Sequence, residues 1–162
     1  MVPDASASLA IVMSEENAAM SEIHEGGCLC GAVRFRTTGQ PFRTSACHCN
    51  FCQRRTGSVL GLYAYFKAEQ VALNGAPLTL YEHHSDESGR WLRIEFCPVC
   101  GTPVTHTAEL WPGGRGISAG AFDDPKWFQV ERHLWLRSKH PWFQTPAGVE
   151  MFEKAATPPV AR

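Results

Sequence analysis

Hydrophobic and polar positions alternate with a period of two along much of the chain, which is the pattern of a half-buried β-strand. The alternation is clear in residues 31–36 and 91–96, whereas residues 59–66 are mostly apolar and aromatic, which is typical of a buried strand. The Asn74-Gly75 pair predicts a turn before the next strand. The predicted strands are 31–36, 59–66, 78–83, 91–96, 116–121 and 129–136.

Only one segment, residues 148–154, has a helix-like pattern, and it is short. Residues 1–21 are rich in Ala, Ser and Glu and lack aromatic residues, so we expect a flexible N-terminal leader there. Residues 155–162 contain Pro158-Pro159, and we expect a loose C-terminal tail. The remainder, 22–154, is long enough for one domain with its own core, and the pattern predicts that it is mainly β.

Composition supports this fold class and excludes several functions. The 14 Gly and 11 Pro favour a turn-rich β-protein. A formal net charge of -1 provides no positive field for binding nucleic acid, so we expect no nucleic-acid partner. No segment approaches the ~20 apolar residues that span a bilayer, and the apolar run 9–13 is too short for a signal peptide. We therefore expect a cytoplasmic protein that does not associate with a membrane.

Seven cysteines dominate the candidate chemistry, and they fall into three short clusters. In the cytoplasm thiols stay reduced, so clustered cysteines indicate metal ligands. The odd count and the C-x-C spacing argue against a disulfide framework. The clusters are Cys28 with Cys30, Cys47 with Cys49 and Cys52, and Cys97 with Cys100.

Four of these cysteines suit a closed structural zinc site. Cys28 and Cys30 precede a predicted strand, and Cys97 and Cys100 directly follow one. If those strands are adjacent and antiparallel, the two pairs meet at one end of the sheet. Four thiolates close the tetrahedron that zinc prefers in structural sites.

The other three cysteines, Cys47, Cys49 and Cys52, occupy six consecutive positions and suit a second zinc with an open coordination position. A substrate thiol would fit that position, because zinc lowers the pKa of a bound thiol. This arrangement predicts chemistry at a carbon–sulfur bond. The alternative is that His48 supplies a fourth ligand and closes the site.

Two arginines after this loop, Arg54 and Arg55, are candidate contacts for a substrate carboxylate. Either arginine could instead be a solvated surface residue. Three histidines are candidate bases, although a histidine on a strand is more often structural. They are His83, His84 and His106.

Aromatic residues near the C-terminus, Trp135, Trp142 and Phe143, are expected to pack in the core. Trp142 and Phe143 follow Pro141, and the alternative is that they form a wall of the substrate pocket.

The motifs of this chain resemble, in order and spacing, the glutathione-dependent formaldehyde-activating (GFA) family, which includes the centromere protein V group. The resemblance covers about residues 24–153. The matching segments are 27–33 (GCLCGAV), 47–58 (CHCNFCQRRTGS), 96–101 (FCPVCG), 118–125 (SAGAFDDP) and 139–143 (KHPWF).

This resemblance implies a β-tent fold made of small antiparallel sheets stapled by zinc. It implies two zinc ions per chain, a structural ion on Cys28, Cys30, Cys97 and Cys100 and a second on Cys47, Cys49 and Cys52. The implied activity is that of a carbon–sulfur lyase, typified by the formation of S-(hydroxymethyl)glutathione from formaldehyde and glutathione. The implied partner is a small-molecule thiol, glutathione or a similar compound. The alternative function is a non-catalytic, zinc-stabilised protein-interaction or regulatory domain.

Overall fold

The computed structural model describes residues 22–156. The expected leader, 1–21, and residues 157–162 of the expected tail lie outside the described residues. Within the described range no helix is long and apolar enough to cross a membrane.

Strands account for most of the regular structure in this range, with a single short α-helix. The strands are β1 Ile23–Gly27, β2 Val33–Thr38, β3 Arg43–Cys47, β4 Gly61–Lys67, β5 Val71–Gly75, β6 Thr79–His84, β7 Trp91–Phe96, β8 Pro103–Ala108, β9 Gly114–Ser118, β10 Arg132–Leu134 and β11 Glu150–Met151. The α-helix, α1, is Asn50–Thr56, and single 3-10 turns lie at Ala68–Gln70, Ala119–Ala121 and Leu136–Ser138.

The strands form two sheets. The smaller sheet has three strands in the order β1-β2-β5, and the larger has eight in the order β11-β10-β3-β4-β9-β8-β7-β6. All pairs are antiparallel except that β10 runs parallel to both β3 and β11. The prediction of a mainly β fold with antiparallel sheets is confirmed.

The main core lies between the two sheets. Val33 and Phe35 of β2 are almost completely buried and belong to one cluster with Phe66 of β4 and Ile117 of β9. Phe122, which follows β9, meets Phe35 edge to face with 5.1 Å between ring centroids. Each such apolar side chain contributes roughly 1.5–3 kcal/mol on burial, so this cluster holds the small sheet against the large one.

Several predicted boundaries differ from the structure. Residues 116–121 end in the Ala119–Ala121 turn, and only Arg132–Leu134 of residues 129–136 form a strand. The helix predicted at 148–154 is wrong, since this segment contains β11. The α-helix occurs instead at Asn50–Thr56, where seven residues are too few to show a helical period in the sequence.

Candidate metal centres and substrate cavity

The three-cysteine cluster lies where β3 ends and α1 begins. Cys47 is the last residue of β3, and Cys49 is the N-cap of α1. The Cys49 sulfur accepts a hydrogen bond from the backbone N–H of Cys52 at 3.3 Å, as an N-cap side chain does. The strand end and the first helical turn therefore direct three thiols to one point.

The spacing of these thiols fits a zinc ion. The Sγ atoms of Cys47 and Cys49 are 3.5 Å apart, and all three Sγ atoms lie within 4.8 Å of one another. Zn–S bonds of about 2.3 Å in a tetrahedron place sulfurs about 3.8 Å apart. Three soft thiolate donors at this spacing can hold zinc and leave a fourth position for another ligand.

Hydrogen bonding distributes charge unequally among the three thiols. Hydrogen bonds from Cys47 and Cys52, together with those from the backbone amides of Cys52 and Phe51, lower the pKa of Cys49 to about 3. The pKa of Cys47 is raised by its contacts with Cys49 and Cys52 and by burial. A bound cation would therefore be needed to keep all three sulfurs ionised together.

His48 does not join this cluster. Its ring is fully buried, and its Nε2 lies 2.8 Å from Nδ1 of His133, on β10. Phe143 packs against the His48 ring with 5.1 Å between centroids. Among residues 22–156 the group of potential ligands at this point contains only the three cysteines, so the alternative of a closed site with His48 does not form.

The other four cysteines also converge. Cys28 and Cys30 lie in the turn between β1 and β2, and Cys97 and Cys100 lie in the turn between β7 and β8. The Sγ of Cys30 is 3.5 Å from that of Cys28 and 3.8 Å from that of Cys97, and all four sulfurs lie within 4.8 Å of one another. This four-cysteine cluster has the donor set of a closed structural zinc site.

The expected route to this cluster is wrong, although the four residues do meet. We expected adjacent antiparallel strands to bring the pairs together, but β2 belongs to the three-stranded sheet and β7 to the eight-stranded sheet. The cluster therefore joins two sheets at their turns, where a metal ion would link them.

The three-cysteine cluster borders a cavity that has a volume of about 360 Å³. The four-cysteine cluster does not line it. The cavity floor is one face of the large sheet, where alternate residues of β3 (Arg43, Ser45 and Cys47) face inward. The size is at the small end of the range for small-molecule sites.

Tyr63 of β4 forms the part of the floor beside Cys47. Strand register pairs Tyr63 with Ser45 and pairs Gly61 with Cys47. A Cβ atom at Gly61 would lie 2.0 Å from the Tyr63 hydroxyl, so this hydroxyl occupies the space that a side chain would take. The hydroxyl is buried and has no hydrogen-bond partner within the described chain. Burial raises the pKa of Tyr63, so the phenol stays protonated.

His106 of β8 lies farther along the same face, across Gly116. A Cβ at Gly116 would come within 2.3 Å of the imidazole. The ring meets Tyr63 and Tyr65 edge-on at centroid distances of 4.8 and 5.5 Å. Burial, followed by the positive charges of Arg55 and Arg115, lowers the pKa of His106 well below its ordinary value. The imidazole is therefore neutral at neutral pH.

The two arginines of α1 differ in position. Arg55 is half-buried, lines the cavity and lies with its guanidinium carbon 4.6 Å from the Tyr63 ring centroid. Arg54 is exposed and does not line the cavity. Of the two predicted carboxylate contacts, Arg55 lines the cavity and Arg54 does not.

The remaining predicted residues differ in whether they line the cavity. His83 lines the cavity and stacks on Phe51 at 4.1 Å, whereas His84 is exposed and pairs with Glu82 at 2.9 Å. Trp135 lines the cavity, but Trp142 is 66% exposed and outside it. The expected core packing applies to Trp135, which packs against the buried Cys47, Cys52 and Tyr63, and to Phe143, which lies against His48, but not to Trp142. The alternative wall of Trp142 and Phe143 does not line the cavity.

The cavity residues that the sequence analysis missed include Arg43, Tyr63 and Arg132. Arg43 precedes Cys47 by four residues, and this even spacing on a strand was the available signal. Arg132 could not be found in this way, because its place depends on the parallel pairing of β10 with β3.

Comparisons with known proteins agree with the residue motifs. The family model described as "Glutathione-dependent formaldehyde-activating enzyme" (GFA) matches residues 23–138. A Halomonas elongata protein named "Putative glutathione-dependent formaldehyde-activating enzyme" is 31% identical over 126 residues, covering 74% of this chain and 79% of that protein. A crystal structure of a Rhodobacter sphaeroides protein is similar with a TM-score of 0.49 and 23% identity, covering 61% of this chain and 87% of that one. The chain belongs to the GFA family.

Proposed function

We propose that this protein is a zinc-dependent carbon–sulfur lyase acting on the adduct of a small thiol and an aldehyde. The observation that carries the proposal is that the three-cysteine cluster lines the 360 Å³ cavity, whereas the four-cysteine cluster does not line it. Family membership and the name of the Halomonas elongata relative support S-(hydroxymethyl)glutathione, formed from glutathione and formaldehyde, as the adduct.

The two clusters would then have different roles. Cys28, Cys30, Cys97 and Cys100 would hold a structural zinc, and Cys47, Cys49 and Cys52 would hold the catalytic one. At the second position zinc supplies Lewis acidity and lowers the pKa of a bound thiol. All seven cysteines are free thiols in this structure, and metal binding by reduced cysteines supports a cytoplasmic location.

The protein's own side chains would orient the reacting groups. In the direction of adduct formation the thiol releases its proton to water, and its sulfur forms a bond to the aldehyde carbon. The carbonyl π electrons move to the oxygen, which takes up a proton from water, so no net proton is gained or lost. The Tyr63 hydroxyl is the donor best placed for this oxygen, since it is buried, unpaired among residues 22–156 and beside the cluster. A preorganised donor of this kind stabilises the charge that develops on oxygen.

The exchange of formaldehyde with glutathione, followed by NMR, tests the proposal. The zinc-loaded protein should accelerate exchange above the spontaneous rate, and Cys49→Ser should abolish the acceleration. Arg36→Gln is a suitable control, because Arg36 is an exposed residue of the three-stranded sheet. A wild-type rate equal to that of buffer alone would contradict the proposal and favour the non-catalytic alternative.

A further inference from the structure

Two half-buried arginines face the cavity at a distance from the three-cysteine cluster. Arg43 is on β3 and Arg132 is on β10, and these neighbouring strands both contribute to the floor. Nη1 of Arg43 and Nε of Arg132 are buried and have no hydrogen-bond partner in the described part of the chain. Both guanidiniums therefore have donor capacity that the folded chain leaves unused.

The charged neighbours of Arg43 are one cation, Arg132, and two carboxylates, Glu131 and Glu150. Its guanidinium carbon lies 4.8 Å from the Trp111 ring centroid, and within residues 22–156 it forms no ion pair. Burial, and then the charge of Arg132, lowers the pKa of Arg43, yet a guanidinium remains protonated at neutral pH. Two cations that share a partly desolvated wall are stabilised by an anion placed between them.

The nearby carboxylates have other partners. Glu150 pairs with Arg132 at 2.7 Å through Nη2, and the adjacent Nε of the same guanidinium has no partner among the described residues. Glu131 accepts a hydrogen bond from the backbone N–H of Thr44 at 3.0 Å. Neither carboxylate supplies the hydrogen bonds that Arg43 Nη1 and Arg132 Nε lack.

Strand register gives the spacing between the arginines and the cysteines. Arg132 pairs with Ser45, which is two residues from Cys47, and Arg43 is four residues from Cys47. At about 3.3 Å per residue, the two arginine positions lie about 7 and 13 Å along the strand from Cys47. A small peptide can span such a distance, whereas a thiol of two or three carbon atoms cannot.

We infer that Arg43 and Arg132 form a carboxylate subsite, so that the substrate is a peptide-like thiol whose carboxylate lies at the opposite end of the cavity from its sulfur. This inference rests on the proposed function for the position of the sulfur. Arginine forks bind carboxylates through paired hydrogen bonds, which gives both affinity and orientation. Small uncharged thiols would lack this contact.

Calorimetric titration of the zinc-loaded protein with a sulfur-free analogue of glutathione tests the subsite by itself. The probe is γ-glutamyl-2-aminobutyryl-glycine, which carries a methyl group in place of the thiol and keeps both carboxylates. Arg43→Gln and Arg132→Gln should each weaken its binding at least about tenfold, whereas Arg43→Lys should weaken it less and the control Arg36→Gln should not change it. Thermal melts of each variant report whether it is folded.

A second measurement uses the wild-type protein and avoids any folding defect of the variants. The dimethyl ester of the same peptide should bind at least about tenfold more weakly than the free acid. Equal binding of ester and acid, no binding of the acid, or equal affinity in folded Arg43→Gln and wild type would overturn the subsite. If binding follows the expected pattern but formaldehyde exchange is not accelerated, the subsite stands and the proposed lyase activity fails.

Discussion

At the residue scale, the cavity floor depends on two positions that have no side chain. The Tyr63 hydroxyl occupies the space above Gly61, and the His106 ring occupies the space above Gly116. Both glycines therefore serve to bring a large polar side chain close to the backbone of a neighbouring strand. In the sequence each glycine indicates only a position that destabilises a strand. The side chain that packs over it depends on how the strands pair, and the sequence does not show that pairing.

Gly61→Ala should displace Tyr63 from its place beside Cys47, because the new methyl group would lie 2.0 Å from the hydroxyl oxygen. We expect a loss of stability of about 1–3 kcal/mol from overpacking and a loss of most activity. Tyr63→Phe is the matched comparison: it should lower kcat about a hundredfold and leave the melting temperature unchanged or higher, since it removes a buried, unpaired hydroxyl. Unchanged kcat in Tyr63→Phe would exclude the hydroxyl from the reaction.

His106 should make the stability of the protein depend on pH. Its pKa in the folded protein lies below the ordinary value of about 6.5, so below that pH the unfolded chain takes up a proton that the folded protein excludes. The free energy of unfolding should therefore fall as the pH falls below about 6.5, by at most about 1.4 kcal/mol per pH unit from this residue. Its contribution is complete at neutral pH and above.

Denaturant titrations of zinc-saturated wild type and His106→Leu between pH 7 and 5 would measure this effect. The free energy of unfolding of the variant should fall less steeply with decreasing pH, by up to the slope that one titrating group contributes. The other titrating groups are common to both proteins. Parallel curves for the two proteins would show that His106 does not carry the shift.

At the scale of elements, the alternation of apolar and polar residues predicted best those strands that have one buried and one exposed face. Residues 91–96 were predicted with the bounds that β7 has, and residues 59–66 are within two residues of β4. β3 was not predicted, because four of its five residues are buried, and the polar Thr44 and Ser45 interrupt its apolar pattern. The strand predicted at 129–136 is present only as the three-residue β10, and the short helix α1 was not predicted.

A hydrogen bond connects β10 to the segment that carries the three-cysteine cluster, and its effect on that cluster can be tested. His133 of β10 is the hydrogen-bond partner of His48, which lies between Cys47 and Cys49. His133→Leu would leave Nε2 of His48 buried without this partner, at a cost of about 1–3 kcal/mol. We expect a lower melting temperature and weaker retention of one zinc ion during dialysis. His84→Leu, at an exposed position, should change neither value, and wild-type zinc retention in His133→Leu would contradict the link.

At the scale of the whole molecule, the four-cysteine cluster connects the two sheets, because each sheet contributes one turn that carries two of the cysteines. No strand of one sheet pairs with a strand of the other among the described residues. Cys97 is fully buried there. Cys97→Ser should therefore lower the melting temperature by about 10 °C or more, because a structural zinc contributes directly to folding. Cys49→Ser should instead lose one zinc ion and keep most of the stability. Equal destabilisation by the two substitutions would contradict the separate roles.

The grouping of the seven cysteines could be predicted from the sequence because spacing within each cluster limits which sulfurs can reach one ion. The charged wall of the cavity could not. Arg54 and Arg55 are neighbours in sequence, yet the helix exposes the first and turns the second toward Tyr63. Arg43 and Arg132 are far apart in sequence, and only the pairing of β10 with β3 brings them to one surface.

The central claim, that a substrate thiol reaches a metal at the three-cysteine cluster, is tested most directly by absorption spectroscopy of the cobalt-substituted protein. We predict two cobalt ions per chain and a change in thiolate-to-cobalt absorption when glutathione is added. Cys49→Ser should bind one cobalt ion and show no change with glutathione. A wild-type spectrum that glutathione leaves unaltered, with two ions bound, would contradict the account.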